Sequence, residues 1–461
     1  MFDARSSDSI IEFAKKLKNK KLRDVCGESI EKHGYKGKGN FGQILEKYYF
    51  GYEPNSDAAP DFSEAGIELK STPLKTLKDG SFRSKERLVL NIINYLEVHK
   101  EAFESSTFLK KNAHLLLIFY LFEKGQDILD QEIKLIASWQ YPEEDLQIIK
   151  QDWEVINNKI KSGKAHELSE GDTFYLGACT KGSTAASSFR PQPFSSEMAK
   201  QRAYSLKQGY VNHIIAKISK NEKEVYGKIL KRPELFSKTK SLEAIVISKF
   251  EPFYGKSIEQ IASSLSLDIN RKAKSYFANV TNAILGIELG KRIEEFEKAD
   301  IIVRTVRLKE NQLPKEDISF PNFKYEEIIE TDWEDADFKS ILESKFFFVF
   351  YQFVNGDLIL KKVKFWNMPY EDILKAKQVW NYTVACIREG SIVKSIMPNG
   401  SRKTYFPNKS DFEVSHVRPH AKNKEDSYPL PIPDKLTGLT SYTKHCFWLN
   451  ASYVRNRIYL L

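Results

Sequence analysis

The sequence predicts a mixed α/β (α+β) chain in which one plan is laid down twice, and three co-ordered resemblances between its halves predict it. LLLIFYLFEKG (115–125) parallels FFFVFYQFVNG (346–356), both apolar and aromatic runs that stop at a turn glycine, as a buried strand entering a hairpin does. Pro142, Glu144, Asp145, Lys150 and Trp153 then recur at unchanged spacing as Pro369, Glu371, Asp372, Lys377 and Trp380. Proline and acids ahead of an apolar-periodic stretch predict a helix opening, because negative charge suits a helix N-terminus. SLKQGYV (205–211) and WLNASYV (448–454) close the two halves, sharing Leu206 with Leu449 and Tyr210 with Tyr453.

Length agrees with two domains, since 461 residues is about three times the usual 150. The charged stretch KISKNEKEVYGKILKRPELFSKTK (217–240) carries no sustained apolar period, so the expected boundaries are 1–220, a linker region at 221–240, and 241–461. A composition of 41% hydrophobic, 13% aromatic and 29% charged residues excludes collagen, disordered and disulfide-scaffold classes. No apolar run approaches the roughly 20 residues that span a bilayer, and the N-terminus lacks a signal peptide's basic head and apolar core. A cytoplasmic protein with no membrane partner is expected. Cys26, Cys179, Cys386 and Cys446 are too far apart for a metal knuckle and are expected as buried thiols. The net charge of +9 (71 minus 62) is compatible with a polyanionic partner. Two basic clusters stand out: Lys15, Lys16, Lys18, Lys20, Lys21 and Arg23 on one expected helix, and Lys228, Lys231, Arg232, Lys238 and Lys240 in mid-chain.

Chemistry concentrates in PDFSEAGIELKSTPLK (60–75), where Ile67, Glu68, Leu69 and Lys70 alternate as a half-buried strand does. A side-chain period of two sends Glu68 and Lys70 to one face. Asp61, seven residues before Glu68 and separated from it by Gly66, is expected to return beside it through a turn. Hard carboxylate oxygens of this kind hold Mg²⁺, one ion or two, and an adjacent ammonium can orient a water and oppose charge on a phosphorane. Glu46, on an expected helix over 42–50, is a fourth member of the set.

The internal repeat tests that set. FSEAGIELKSTPL (62–74) aligns with FEKADIIVRTVRL (296–308), keeping Phe62 as Phe296, Ala65 as Ala299, Ile67 as Ile301 and Leu74 as Leu308. The functional pair is lost: Glu68 becomes Ile302, Lys70 becomes Arg304, and Glu46 falls near Thr281. The second half is therefore expected to fold alike without catalysing. Gly37, Gly39 and Gly42 satisfy G-x-G-x-x-G, but no apolar strand precedes them, so a dinucleotide site is rejected in favour of close backbone approach near Glu46. The eight histidines form no H-E-x-x-H.

GKGNFGQILEKYYFG (37–51) followed by PDFSEAGIELKSTP (60–73) resembles MutH, the methyl-directed mismatch-repair nickase, and its relatives among restriction endonucleases that cut GATC. SKERLVLNIINY (84–95), the stretch 148–182 and KQRAYSLKQGY (200–210) look like the Sau-three-A-I type of type II enzyme, and the two-copy layout covers essentially the whole chain. The resemblance implies two tandem restriction-endonuclease-like PD-(D/E)xK folds, Mg²⁺ dependence, and cleavage before the G of GATC to leave 5′ overhangs. It implies Glu46, Asp61, Glu68 and Lys70 as the catalytic set, the three carboxylates as metal ligands, and Lys110 or Lys111 as a further active-site lysine.

MutH reads DNA through an Arg-Pro-Lys loop and a Tyr before a Leu-Lys pair. Here the loop is Arg190-Pro191-Gln192 and Ser205 takes the Tyr position, so two recognition contacts differ while Arg190 keeps a fork for guanine O6 and N7. Lys181, Arg202 and Lys207 are implied phosphate contacts, and Lys110 and Lys111 are counted with the DNA-binding set. The resemblance implies double-stranded DNA as partner, a DNA-induced homodimer, a companion GATC methyltransferase, and a degenerate second copy, marked by Ile302 and Arg304, that binds a second site and promotes cutting at the first. The rival readings are a mismatch-repair nickase, a methylation-dependent GATC cutter and a non-catalytic GATC-binding regulator.

Overall fold

The computed structural model describes residues 2–33, 41–54, 57–181, 188–219, 226–230 and 241–461. The glycines at 37 and 39 and most of the expected linker, 221–225 and 231–240, lie outside the described residues. Two units partition the chain: 1–245 with 286–301, and 246–285 with 302–461.

The first unit is built on a four-stranded sheet. Its strands are β1 (Glu68–Thr76), β2 (Phe82–Ser84), β4 (His114–Leu121) and β5 (Ile133–Gln140), in the order β2-β1-β4-β5, while β3 (Leu88–Ile92) lies in a second sheet. The run Leu115 to Phe119 is wholly buried, because β4 pairs in parallel with β1 and antiparallel with β5 and both its faces are covered. A helix over Glu143–Lys161 follows Pro142, with Glu143, Glu144 and Asp145 in its first turn. The second sheet, β3-β9-β6, joins β6 (Leu176–Thr180) and β9 (Arg202–Leu206) to β3, and a hairpin of β7 (Phe189–Gln192) and β8 (Ser195–Lys200) leads into β9.

Beyond the first unit's short parallel pair β10 (Tyr226–Gly227) and β11 (Arg292–Ile293), the second unit has β12 (Ile302–Leu308) parallel to β14 (Phe346–Val354), which pairs antiparallel with β15 (Asp357–Trp366), while β13 (Ile318–Asn322) lies in a separate sheet. A 19-residue helix, Tyr370–Arg388, follows Pro369, matching the 19 residues of Glu143–Lys161. Equivalent contacts recur. Tyr210 donates to Asp145 at 2.9 Å, and Tyr453 donates to Asp372 at 2.8 Å. Ile67 N–H reaches Phe62 O at 3.2 Å around Gly66 at φ +67°, and Ile301 N–H reaches Phe296 O at 3.0 Å around Asp300 at φ +51°. Glu68 stands opposite Leu115 and Ile302 opposite Phe346, so the two parallel pairs share one register.

Residues 286–301, counted with the second half on sequence, fold with the first unit for a reason visible in their side chains. Lys298, 3% exposed, donates to both oxygens of Asp145 at 2.9 and 3.0 Å and pairs with Glu294 at 2.9 Å. Glu295 accepts the N–H groups of Ile229 and Leu230, and Asp300 accepts that of Gly209. A Cβ on Gly209 would lie 1.9 Å from Glu297 O, so only glycine admits this close approach.

The first basic cluster does not occupy one helix. Asn19, at φ +60°, breaks the chain between Ser7–Lys15 and Leu22–His33, and its N–H bonds Ile133 O at 2.8 Å. All four cysteines are buried and unpaired. Among the described residues no helix is long and apolar enough to cross a membrane.

Candidate active site

Three local structures converge on one cleft of about 630 Å³, whose lining includes Glu46, Asp61, Glu68, Lys70 and Lys111. β1 supplies Glu68 and Lys70 from one face, and Lys70 Nζ lies 2.5 Å from Glu68 Oε1. The turn between the Phe62 and Ile67 bridge brings Asp61 back. Its backbone N–H donates to Glu68 Oε2 at 3.0 Å, and its own Oδ2 accepts the N–H of Leu69 at 2.9 Å. Glu46 comes from a chain that runs as an α-helix over Phe41–Ile44 and widens into a π-helix over Leu45–Phe50, in place of the single helix expected over 42–50. π-Turns are rare and recur where a side chain must be re-aimed.

The short helix Thr107–Asn112 decides between its two lysines. Lys111 is buried, donates to Asp57 O at 2.5 Å and lies 3.7 Å from Glu68 Oε1, whereas Lys110 is exposed and outside the cleft lining. Burial pushes the Glu46 carboxyl up to about 7, with the charges of Asp61 and Glu68 adding to the effect and Lys70 and Lys111 opposing it. Burial likewise raises Glu68, against the pull of Lys70. Three carboxylates held in one half-dry cleft cannot all ionise cheaply.

That frustration tests the fit of a divalent ion. The charge of Asp61 raises the proton affinity of Glu46 and Glu68, and hard oxygen donors crowded in this way are a set that a divalent ion would stabilise in the charged state. Among the described residues, no group of three metal-ligating side chains is closed into a ready ligand sphere.

Tyr52, Asn94, Glu97 and Glu101 are neighbours the sequence did not single out. Tyr52 Oη is buried with no hydrogen-bond partner among the described residues, and its ionisation is disfavoured first by burial and then by Asp61, Glu46 and Glu68. Asn94, Glu97 and Glu101 line the cleft from the segment after β3. No periodicity or spacing marks them, because they reach the site through the packing of one sheet against the other.

The expected DNA contacts divide by exposure. Arg190 is exposed on β7, Lys181 is exposed at the end of β6, and Lys110 is exposed. The other five are interior, among them Lys111 at the cleft. Gln192, 5% exposed, accepts the N–H of Ala165 at 2.7 Å and donates to Glu197 O at 2.7 Å, so its amide is committed to the protein. Arg202 donates to Ala178 O at 2.6 Å, and Lys207 to Thr173 O at 2.6 Å. Ser205 is fully buried in β9, paired with Val89 and Gly177. β9 is the central strand of its sheet, and this buries Arg202 and Ser205, which motif position had suggested for a surface.

An α+β unit with carboxylates and lysines gathered at the start of a parallel strand pair has the architecture of a metal-assisted nuclease. Comparison gives that class its particulars. Residues 50–152 match the family model described as DNA mismatch repair enzyme MutH. The type II restriction enzyme Sau3AI of Staphylococcus aureus is 39% identical over 469 residues, covering 94% of each chain. The DNA mismatch repair protein MutH of Shewanella woodyi is 26% identical over 203 residues, covering 42% of this chain and 85% of its own. That of Vibrio parahaemolyticus is 27% identical over 157 residues, covering 34% and 67%. The chain belongs to the Sau3AI family of type II restriction endonucleases, with a MutH-type nuclease region in its first unit.

Proposed function

We propose that this restriction endonuclease is Mg²⁺-dependent, acts on double-stranded DNA at GATC, and cuts before the G to leave a 5′ overhang. Catalysis belongs to the first unit, while the second is a degenerate copy that binds a further DNA site and promotes cleavage at the first. A second chain assembling on DNA and a companion GATC methyltransferase complete the system.

The observation that carries this reading is the convergence of Glu46, Asp61, Glu68, Lys70 and Lys111 on one cleft, set against Ile302 and Arg304 at the same strand register in the second unit. The bound ion would be held by Asp61 and Glu68 with help from Glu46, and would polarise the scissile phosphate and lower the pKa of a water. Lys70, 2.5 Å from Glu68, orients that water and opposes the charge that builds on the phosphorus oxygens. Lys111 holds Asp57 O and stands within 3.7 Å of Glu68, fixing the carboxylate's direction. Arg190, Lys181 and Lys110 are the exposed cations for base and phosphate contact. A nickase is disfavoured because the MutH relatives correspond to 42% of this chain or less. Sequencing the ends that the protein makes with Mg²⁺ on defined GATC duplexes, with and without adenine methylation, tests the reading. Blunt ends, single-strand nicks alone, or cutting only of methylated sites would overturn it.

A further inference from the structure

The second unit keeps a cleft next to the strand that corresponds to β1. It measures about 480 Å³ and is lined by Arg304, Arg307, Lys315, Glu316 and Asp317 with the start of β13 (Ile318–Asn322). Arg304 opposes Phe348 in the β12 and β14 pair, as Lys70 opposes Leu117 in the β1 and β4 pair. The electrostatics differ. Lys70 is ion-paired with Glu68, but Ile302 stands where a carboxylate would be, and no hydrogen bond or ion pair ties Arg304 to any described residue. Its Nε is buried without a partner. An arginine so enclosed is ordinarily paired, because a buried donor without an acceptor forfeits the hydrogen bond it would make to water.

The acids of the cleft do not answer that need. Asp317 is engaged by Lys409 at 2.6 Å, by Arg418 at 3.4 Å and by the N–H of Ala451 at 2.7 Å. Glu316 pairs with Arg307 at 3.1 Å. Lys315 is exposed at the rim. The cleft therefore offers an uncompensated planar fork with a second cation beside it, which suits a tetrahedral oxyanion.

We propose that this cleft is a metal-independent seat for a DNA phosphate, in which the Arg304 guanidinium takes over the role that a bound divalent ion and Lys70 share in the first unit. Loss of the carboxylate removes the means of holding an ion, and the arginine supplies fixed positive charge in its place, so binding persists where hydrolysis does not. The inference rests on the reading of the second unit as a DNA-binding copy.

The test uses the full chain with a chelator present and a labelled GATC duplex, following anisotropy to stoichiometry over a salt series. Wild type is expected to take up two duplexes per chain without metal. Arg304→Gln should weaken the second event about 10-fold or more and lower its salt slope by about 0.9, while Arg304→Lys retains part of both. Lys315→Ala, at an exposed position that does not threaten folding, should weaken the same event by a smaller factor. A wild type that binds one duplex only overturns the DNA-binding reading of the second unit. Two duplexes bound equally well by Arg304→Gln and Lys315→Ala, or a second event that appears only with Mg²⁺, overturn the phosphate seat alone.

Discussion

Replacing Lys298 with alanine should be among the most damaging single changes in the first unit, although Lys298 lies far from the cleft in sequence. Its Nζ contacts both oxygens of Asp145 at 2.9 and 3.0 Å and Glu294 at 2.9 Å, and the three residues are 3%, 1% and 8% exposed. Among the described residues, truncation leaves Asp145 with the hydroxyl of Tyr210 as a side-chain donor, and leaves Glu294 with the half-exposed Lys228 at 3.8 Å in place of a buried cation between the two carboxylates. Breaking a buried pair by removing one partner costs about 3–5 kcal/mol. For a unit of this size that corresponds to a fall of roughly 6–20 °C in Tm. Thermal unfolding followed by fluorescence of Trp139 and Trp153, both in the first unit, gives the measurement. A loss below about 1 kcal/mol at neutral pH would refute the reasoning.

Three further outcomes are expected. Glu68→Ala or Lys70→Ala should lower cleavage by roughly 10² to 10⁴-fold, about 3–5 kcal/mol of barrier, with duplex binding largely kept; a variant cutting at full rate would remove these residues from the site. A chain ending at residue 220 lacks Glu294, Glu295, Lys298 and Asp300, leaving Asp145 and the Gly209 N–H without their partners, and should be insoluble or unfolded; a soluble fragment with native unfolding behaviour would contradict this account of 286–301. His445 is held down to about 4 by burial, its hydrogen bond to Thr443 O opposing the shift. Its unfolded value is about 6.5, so the unfolded chain binds the extra proton between these values. The second unit should therefore lose about 3 kcal/mol as pH falls from 6.5 to 4. His445→Gln should flatten that slope in denaturant titrations.

The meeting of Asp61, Glu68 and Lys70 was legible because its information is local. Alternation alone sends Glu68 and Lys70 to one face, and a turn glycine between Asp61 and Glu68 signals the return of the chain; the structure adds the 2.9 to 3.0 Å bonds that lock the two together. The buried recognition positions were not legible. Motif position assigned Gln192, Arg202, Ser205 and Lys207 to a DNA surface, yet each lies at 6% exposure or less. Whether a polar side chain on β9 faces water depends on β3 and β6, which flank it from elsewhere in the chain.

By itself the sequence determined the mixed α+β character, the paired 19-residue helices behind their prolines, and the carboxylate and lysine pair on β1, since helix and strand periods and turn residues act over a few positions. Only the tertiary structure decided that Lys111 and not Lys110 faces Glu68, that Asn94 and Glu101 border the cleft, and that 286–301 folds with the first unit. Those outcomes turn on burial and charge matching between residues as distant as Asp145 and Lys298, and desolvation has no counterpart in local spacing.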